Sequence, residues 1–200
     1  LLAGASPFDR WNRDREETAL SDEARRGHKL FIGKALCSAC HVAAGDTPMF
    51  TDDAFHNTGV GYEATTMARG RRRSVVVAPG QRIDVDTAAL DAVGGRRMGD
   101  LGLYELTGDP SDRWKYRTPS LRNVAITAPY MHDGSLPTLE AVVRFYVEGG
   151  VPNEELDPLI RPLALDESEI AALVAFLESL TGGNVVDLVA DGNAAPMGGS

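Results

Sequence analysis

The sequence has little of several features that would narrow its function at once. It has two cysteines in 200 residues, aromatic side chains make up 6%, and its 29 acidic side chains outnumber its 20 lysines and arginines. Because nucleic-acid binding requires a basic surface, the net charge of −9 argues against that function. No run approaches the ~18 consecutive apolar residues of a transmembrane helix, so we expect no membrane span.

The negative charge is unevenly distributed along the chain. From Gly134 onward there are 11 acidic and 2 basic side chains, whereas residues 1–133 carry 18 of each. Such an acidic surface is either solvated or docks a basic partner. Residues 1–4 are typical of the end of a helix, and no charged-then-apolar leader opens the chain, so we expect any secretion signal to be absent or already removed.

The two cysteines lie three positions apart in the segment Cys37-Ser38-Ala39-Cys40-His41. A disulfide usually links distant segments, so this spacing is not typical of one. Thiols that flank two residues on a helical turn can both form thioethers to the porphyrin vinyl groups, and the next residue presents an imidazole to the iron. The motif therefore predicts one covalent haem c, with His41 as the proximal ligand. The alternative is half of a zinc site, which needs four protein ligands.

The second axial position of the iron has several candidates. Methionine, histidine and tyrosine can all fill it; methionine raises the reduction potential, whereas an anionic tyrosine oxygen favours ferric iron. The candidates are Met49, His56, Met67, Met98, Met131, His132 and Tyr146. Composition alone does not choose among them.

Apolar spacing and capping residues predict three helices. The first is capped by Ser21 and runs to about Ile32, directly before the cysteines. The second is capped by Thr138 and the third by Asp166, each followed by an apolar stripe. Glycines follow all three, which is typical of helix ends.

Loops are expected to connect these helices. Residues 6–17 read as a turn and connector, and residues 43–61 have the glycine, proline and asparagine content of a loop. Residues 62–113 are the least regular part, with a short strand candidate at 75–77. The arginine-rich run at 69–73 is either a solvated loop or a docking patch. The predicted fold class is mainly α, a cytochrome c-type helical domain around one covalent haem with long loops.

Several motifs, taken in order, resemble those of a known family. They are residues 6–11, 27–31, 50–52, 55–59, 116–123, 127–134 and 173–177, together with the haem motif. In combination they resemble the C-terminal half of the bacterial di-haem cytochrome c peroxidase family, including its MauG-type branch. The resemblance covers roughly residues 6–190.

The resemblance implies a periplasmic protein with two c-haem domains. The N-terminal domain would hold the peroxide-reacting haem, and this chain would be the domain that exchanges electrons with it and with a redox protein donor or substrate. The family's first haem motif would then lie before Leu1. We accordingly expect a connector over residues 1–20, the cytochrome c-type domain over 21–182 and an extended tail over 183–200.

The resemblance also suggests roles for further residues. Tyr146 stands where the plain peroxidases have a methionine ligand, as in the MauG-type enzymes, so we expect it to be the distal ligand. Backbone carbonyls of Thr127 and Pro129 match a calcium site between the two domains. Arg122 is a candidate partner of a haem propionate, and Trp114 is expected near the porphyrin, at the domain interface or in an ordinary core.

These observations favour the electron-transfer domain of a di-haem peroxidase or MauG-like oxidase. The chain alone is expected to have negligible peroxidase turnover, because the peroxide-reacting haem belongs to the other half. The competing function is a free-standing mono-haem electron carrier. The third possibility is a zinc-binding structural domain, and such a protein would be colourless.

Overall fold

The structure, a computed structural model, describes residues 5–68, 72–78, 81–86 and 100–185, with the side chains of 5–65, 81, 83 and 100–185. The described α-helices are α1 (Pro7–Asn12), α2 (Asp22–Ile32), α3 (Val60–Ala68), α4 (Tyr104–Thr107), α5 (Leu139–Val147) and α6 (Glu167–Glu178). The strands are β1 (Phe55–His56), β2 (Arg72–Ala78), β3 (Gln81–Asp86) and β4 (Tyr116–Arg117). Single 3₁₀ turns lie at Cys37–Ala39, Pro110–Asp112 and Val124–Ile126.

The chain divides into two compact units. The first unit comprises residues 1–54, 118–148 and 162–200, and the second comprises 55–117 and 149–161. The first unit therefore contains α1, α2, α5, α6 and the Cys-x-x-Cys-His segment, and the second contains α3, α4 and the four strands.

The three helices predicted from apolar spacing are confirmed, with their caps. The side chains of Ser21, Thr138 and Asp166 each accept a hydrogen bond from a backbone N–H in the first turn of α2, α5 and α6. Asp166 and Glu169 form a reciprocal capping box, which satisfies two backbone donors that a helix otherwise leaves unpaired.

The core of the first unit is built mainly from aromatic rings and α6. Phe8, Phe31, Phe50 and Phe176 are each at most 2% exposed, and neighbouring rings meet edge to face or tilted at centroid distances of 5.0–6.0 Å. Helices α2 and α6 approach closely at Gly27, where a Cβ atom would overlap the Ala172 carbonyl and the Phe176 side chain. A glycine is needed there for the two helices to pack.

The first helix corrects the prediction of a turn and connector over residues 6–17. Ser6 and Asp9 form a capping box at its start, and Pro7 occupies the first helical position, where its missing N–H costs nothing. Phe8 is 1% exposed and belongs to the aromatic core. The prediction was wrong because the helix is short and its polar side chains are as common in loops as in helices.

The second unit corrects the expectation of irregular structure over residues 62–113. Strands β2 and β3 form an antiparallel hairpin, and the predicted strand at 75–77 lies within β2. Strands β1 and β4 pair antiparallel, and α3 begins at Val60. The described chain is thus partly helical with two small sheets. The residues 1–4, 69–71, Met98 and the tail from 186 lie outside the described residues.

None of the helices in the described part of the chain is both long enough and apolar enough to cross a bilayer.

Candidate functional site

The Cys-x-x-Cys-His segment folds as one tight turn directly after α2. Helix α2 ends at Ile32, and Leu36 then adopts a left-handed conformation with φ 55° before the 3₁₀ turn Cys37–Ala39. The backbone N–H of His41 donates to the Cys37 carbonyl at 2.9 Å. This turn brings the two cysteines and the histidine onto one compact stretch of backbone.

Both cysteines are thiols rather than half-cystines. Cys37 packs against the aromatic core, and burial raises the pKa of its thiol to about 12. Leu36 and Val42 flank the motif, and each is 39% exposed. Two thiols next to exposed apolar side chains fit a covalently attached, apolar group such as a porphyrin.

The ring of His41 is oriented by a backbone carbonyl nine residues further along. Its Nδ1 lies 2.9 Å from the Phe50 oxygen. A carbonyl only accepts hydrogen bonds, so Nδ1 carries the proton and Nε2 carries the lone pair in the neutral ring. This is the tautomer that a metal-binding histidine needs, with the second ring nitrogen held by an outer partner.

Tyr146, the expected distal ligand, lies on α5 near the cysteines. Its hydroxyl is within electrostatic range of the sulfur atoms of Cys37 and Cys40. Burial of the hydroxyl raises the pKa of Tyr146 well above its usual value, and the two thiols raise it further. In this environment the phenol stays neutral unless a strong positive charge, such as a ferric iron, is brought to its oxygen.

The guanidinium group of Arg122 is held inside the first unit. Its Nη1 donates to Asp9 at 2.6 Å, its Nε donates to the Pro48 carbonyl at 2.8 Å, and the group lies 5.5 Å from the centre of the Phe50 ring. Burial alone would raise the pKa of Asp9, but hydrogen bonds from Arg122 and Ser6 outweigh it and hold that pKa below its usual value. A contact between Arg122 and a haem propionate stays a prediction.

The other candidate axial ligands are spread over the chain. In the first unit, Met131 is half-buried in a turn with φ 69°, whereas Met49 is 39% exposed and His132 is exposed. His56 belongs to the second unit, where its Nδ1 lies 2.6 Å from an oxygen of Asp157. The side chain of Met67 and the whole of Met98 lie outside what the structure describes.

The remaining predicted residues have ordinary structural surroundings. Trp114 belongs to the second unit, where its indole N–H donates to the Thr65 hydroxyl at 3.1 Å and its ring meets the Tyr62 ring edge to face at 5.0 Å. Thr127 and Pro129 are exposed in the first unit. Their roles toward haem and calcium stay predictions.

Two contributors to the site were missed from the sequence. The Phe50 carbonyl that holds His41 is a backbone atom, so no side-chain motif could reveal it. Asp9 lies 113 positions from its partner Arg122. The one available signal was the Ser6-x-x-Asp9 spacing beside Pro7, which is typical of a helix start and not of a connector.

Comparison with known proteins agrees with a cytochrome c-like domain. The family model described as RoxA-like, cytochrome c-like matches residues 115–145. The cytochrome-c peroxidase IdrP2 of Denitromonas iodatirespirans is 39% identical over 182 residues, which cover 91% of this chain and 46% of that protein. The methylamine utilization protein MauG of Methylorubrum extorquens is 36% identical over 180 residues, covering 90% of this chain and 40% of that protein.

Solved structures that resemble this chain include the same kinds of protein. A MauG-like protein associated with microbial copper homeostasis has a TM-score of 0.65 and 33% identity, covering 91% of this chain and 53% of that one. The diheme peroxidase BthA from Burkholderia thailandensis has a TM-score of 0.62 and 26% identity, with coverages of 91% and 47%. The chain therefore spans about half the length of the relatives that it matches.

Proposed function

Because this chain belongs to the bacterial family of cytochrome c peroxidases and MauG proteins, we propose that it is the C-terminal, electron-transfer haem domain of such a protein. It would relay electrons to or from a peroxide-reacting haem held in an N-terminal half. The observation that carries the proposal is the Nδ1 of His41 on the Phe50 carbonyl, which leaves Nε2 as the ring nitrogen suited to iron. The fold is then a cytochrome c-type helical domain around one covalent haem.

Cys37 and Cys40 would hold the haem by thioether bonds, and His41 would bind its iron through Nε2. The haem, when bound, supplies an iron that exchanges single electrons. The packing of Cys37 against the aromatic core ties one attachment point to the most buried part of the unit. This makes the porphyrin position depend on the core and not on loop conformation.

Tyr146 is the proposed distal ligand. Its hydroxyl lies near both cysteine sulfurs, which supports a position on the haem. Because burial raises the pKa of Tyr146, its oxygen would bind as phenolate only where a positive charge such as that of ferric iron stabilised the anion. Phenolate binding would lower the reduction potential and help to hold oxidising equivalents on the iron.

The haem attachment is tested by extraction with acid acetone. We expect the haem to stay with the denatured chain, and to be lost to the solvent in a Cys37→Ala/Cys40→Ala variant. Haem that leaves the wild-type chain would contradict the c-type assignment, and a colourless protein that contains zinc would favour the structural-zinc alternative.

The distal ligand is tested by a pair of substitutions. Tyr146→Phe should open the sixth position of the iron and raise the reduction potential, whereas Met131→Leu, the matched control, should leave the spectrum nearly unchanged. An iron–sulfur charge-transfer band in the ferric wild type would contradict the assignment, because that band requires a methionine ligand.

The N-terminal haem domain is the proposed partner, together with a redox protein that acts as donor or substrate in the periplasm. The isolated chain should then have negligible peroxidase turnover, and the N-terminal domain should restore it. Substantial turnover by the chain alone would show that the electron-transfer role is wrong. A native protein with one haem and no second haem-bearing segment would instead indicate a free-standing mono-haem carrier.

A calcium ion between the two domains is the remaining part of the proposal. The exposure of Thr127 and Pro129 supports it, and backbone oxygen ligands suit calcium. Calcium titration of the two-domain protein, followed by metal analysis after chelation, tests the site. A protein that contains no calcium and keeps its turnover after chelation would refute it.

A further inference from the structure

Three consecutive backbone carbonyls, those of residues 48–50, each accept a hydrogen bond from a distant side chain. Arg122 Nε donates to the Pro48 oxygen at 2.8 Å, and Ser120 Oγ donates to the Met49 oxygen at 2.6 Å. His41 Nδ1 donates to the Phe50 oxygen at 2.9 Å. The Phe50 carbonyl, which orients the proximal histidine, is therefore preceded by two residues whose own carbonyls are hydrogen-bonded.

Arg122 is itself held rigidly. Its side chain is 8% exposed and that of its partner Asp9 is 1% exposed, with 2.6 Å between Nη1 and the carboxylate oxygen. Asp9 also accepts hydrogen bonds from the backbone N–H and the hydroxyl of Ser6, at 3.1 and 2.8 Å. A buried ion pair whose carboxylate has further donors keeps its geometry better than an exposed one.

The same guanidinium contacts both the backbone and the ring of this segment. It donates to Pro48 and lies 5.5 Å from the centre of the Phe50 ring, which is 0% exposed. Phe50 adopts a left-handed backbone conformation with φ 54°, which costs an ordinary residue free energy. The contacts of Arg122 with the Pro48 carbonyl and with the Phe50 ring offset that cost and keep the Phe50 carbonyl directed at His41.

We infer that Arg122, anchored by Asp9, and Ser120 are positioning residues for His41, and that they set the strength of its Nδ1–H hydrogen bond. The inference rests on the proposed function, in which Nε2 of His41 binds the haem iron. A hydrogen bond from Nδ1 makes an imidazole a more basic ligand, which favours ferric iron. Weakening the hold on residues 48–50 should therefore raise the reduction potential.

The test uses the full-length haem-loaded protein and three variants. Arg122→Lys keeps the charge but loses the fork that reaches Asp9 and Pro48 together. Ser120→Ala removes the donor to the Met49 carbonyl and the hydroxyl oxygen that accepts the Arg122 backbone N–H at 3.2 Å. Arg10→Lys is the control, because Arg10 lies on the same helix as Asp9 and its exposed ion pair with Glu16 does not involve residues 48–50.

Two properties are measured: the reduction potential and the exchange with deuterium of the His41 Nδ1 proton, followed by NMR of the ferric protein. We expect Arg122→Lys and Ser120→Ala to speed this exchange and to raise the ferrous-to-ferric ratio at fixed potential, by roughly tenfold for Arg122→Lys. Arg10→Lys should change neither. If Arg122→Lys does not fold, the Ser120→Ala variant alone tests the positioning role.

The outcomes separate this inference from the proposed function. Covalent haem with unchanged exchange and potential in both variants would overturn the positioning role alone. A potential that changes only in Arg122→Lys, with unchanged proton exchange and a new pH dependence, would also overturn it and indicate a propionate partner. A wild-type protein without covalent haem would overturn the proposed function and this inference with it.

Discussion

Each of the two units of this chain is stabilised internally by a different kind of contact. In the first, four phenylalanine rings and the leucines of α6 are buried around one another, and the buried polar side chains include the Asp9–Arg122 ion pair and Ser6, which donates to Asp9. In the second, Val60 is the buried hydrophobic residue among the described side chains, while Phe55, Leu106 and Leu159 are 40–85% exposed.

Hydrogen bonds take the place of the apolar core in the second unit. Asn57 is 1% exposed; its amide N–H₂ group donates to Asn153 and to the Glu155 carbonyl, and its oxygen accepts from the Gly59 N–H. This one side chain ties the segment after β1 to the segment after α5. The comparison shows that burial of apolar area organises the unit that contains the Cys-x-x-Cys-His segment, whereas directed polar contacts organise the other.

The largest expected effect is the loss of a ring from the first unit. Phe176→Ala should lower the free energy of unfolding by about 4 kcal/mol, because it removes a fully buried ring and leaves a cavity. Phe55→Ala, the matched control in the second unit, should cost less than about 1 kcal/mol because Phe55 is 40% exposed. Urea denaturation of both variants measures the difference. Equal losses of unfolding free energy would contradict the proposed difference between the two units.

The second unit should instead be sensitive to one amide. Asn57→Ala should cost about 2–3 kcal/mol, since it leaves buried polar groups without their partner. Hydrogen exchange should become faster at the amides of Val151 and Asp157, which donate to the carbonyls of Thr58 and Asn57. Thr107→Ala, an exposed substitution in the same unit, should leave this exchange unchanged. Unaltered protection in Asn57→Ala would refute the hydrogen-bonded organisation.

The close contact between α2 and α6 predicts an intermediate effect. Gly27→Ala should destabilise the first unit by about 2 kcal/mol, because the added methyl group meets backbone atoms of Ala172, which cannot move aside as a side chain can. Without that overlap, alanine would favour the helix. Thermal unfolding of Gly27→Ala and of the exposed control Lys29→Ala checks the prediction, and a stabilised Gly27→Ala would contradict it.

The smallest expected effect is a pH dependence from His28. Its ring lies 5.2–5.6 Å from the rings of Phe8, Trp11 and Phe176, and burial lowers its pKa below the ordinary 6.5. The unfolded chain then binds a proton more readily than the folded one, so stability falls as pH drops below about 6.5. His28→Phe should reduce the loss of thermal stability between pH 7 and 5, whereas His132→Gln should not. An unchanged pH dependence in His28→Phe would refute the role of His28.

Part of the fold and of the candidate site could be predicted from the sequence. Helices α2, α5 and α6 carry apolar stripes and capping side chains, so their periodicity and their ends were predictable. The Cys-x-x-Cys-His spacing predicted the turn, whereas the role of Tyr146 as distal ligand stays a prediction. These features are local, or repeat along one helix.

The missed features depend on residues far apart in the chain. The contacts of Asn57 with Asn153 and Glu155 span 96 and 98 positions, and no periodic pattern announces them. The ion pair of Asp9 with Arg122 spans 113. Side chains of this kind are common in loops, and only the folded chain shows which two meet.

The hydrogen bond between His41 and Phe50 has a consequence for how this region can vary. It ties together the two ends of a short segment whose residues 44–47 are exposed, and Asn12 donates to the Gly45 and Asp46 carbonyls across its tip. Side chains at 44, 46 and 47 can therefore be exchanged freely, whereas position 45 favours glycine because its φ is 88°. Inserting or deleting a single residue would shift the Phe50 oxygen out of register with the imidazole. The segment is a spacer of fixed length and permissive composition.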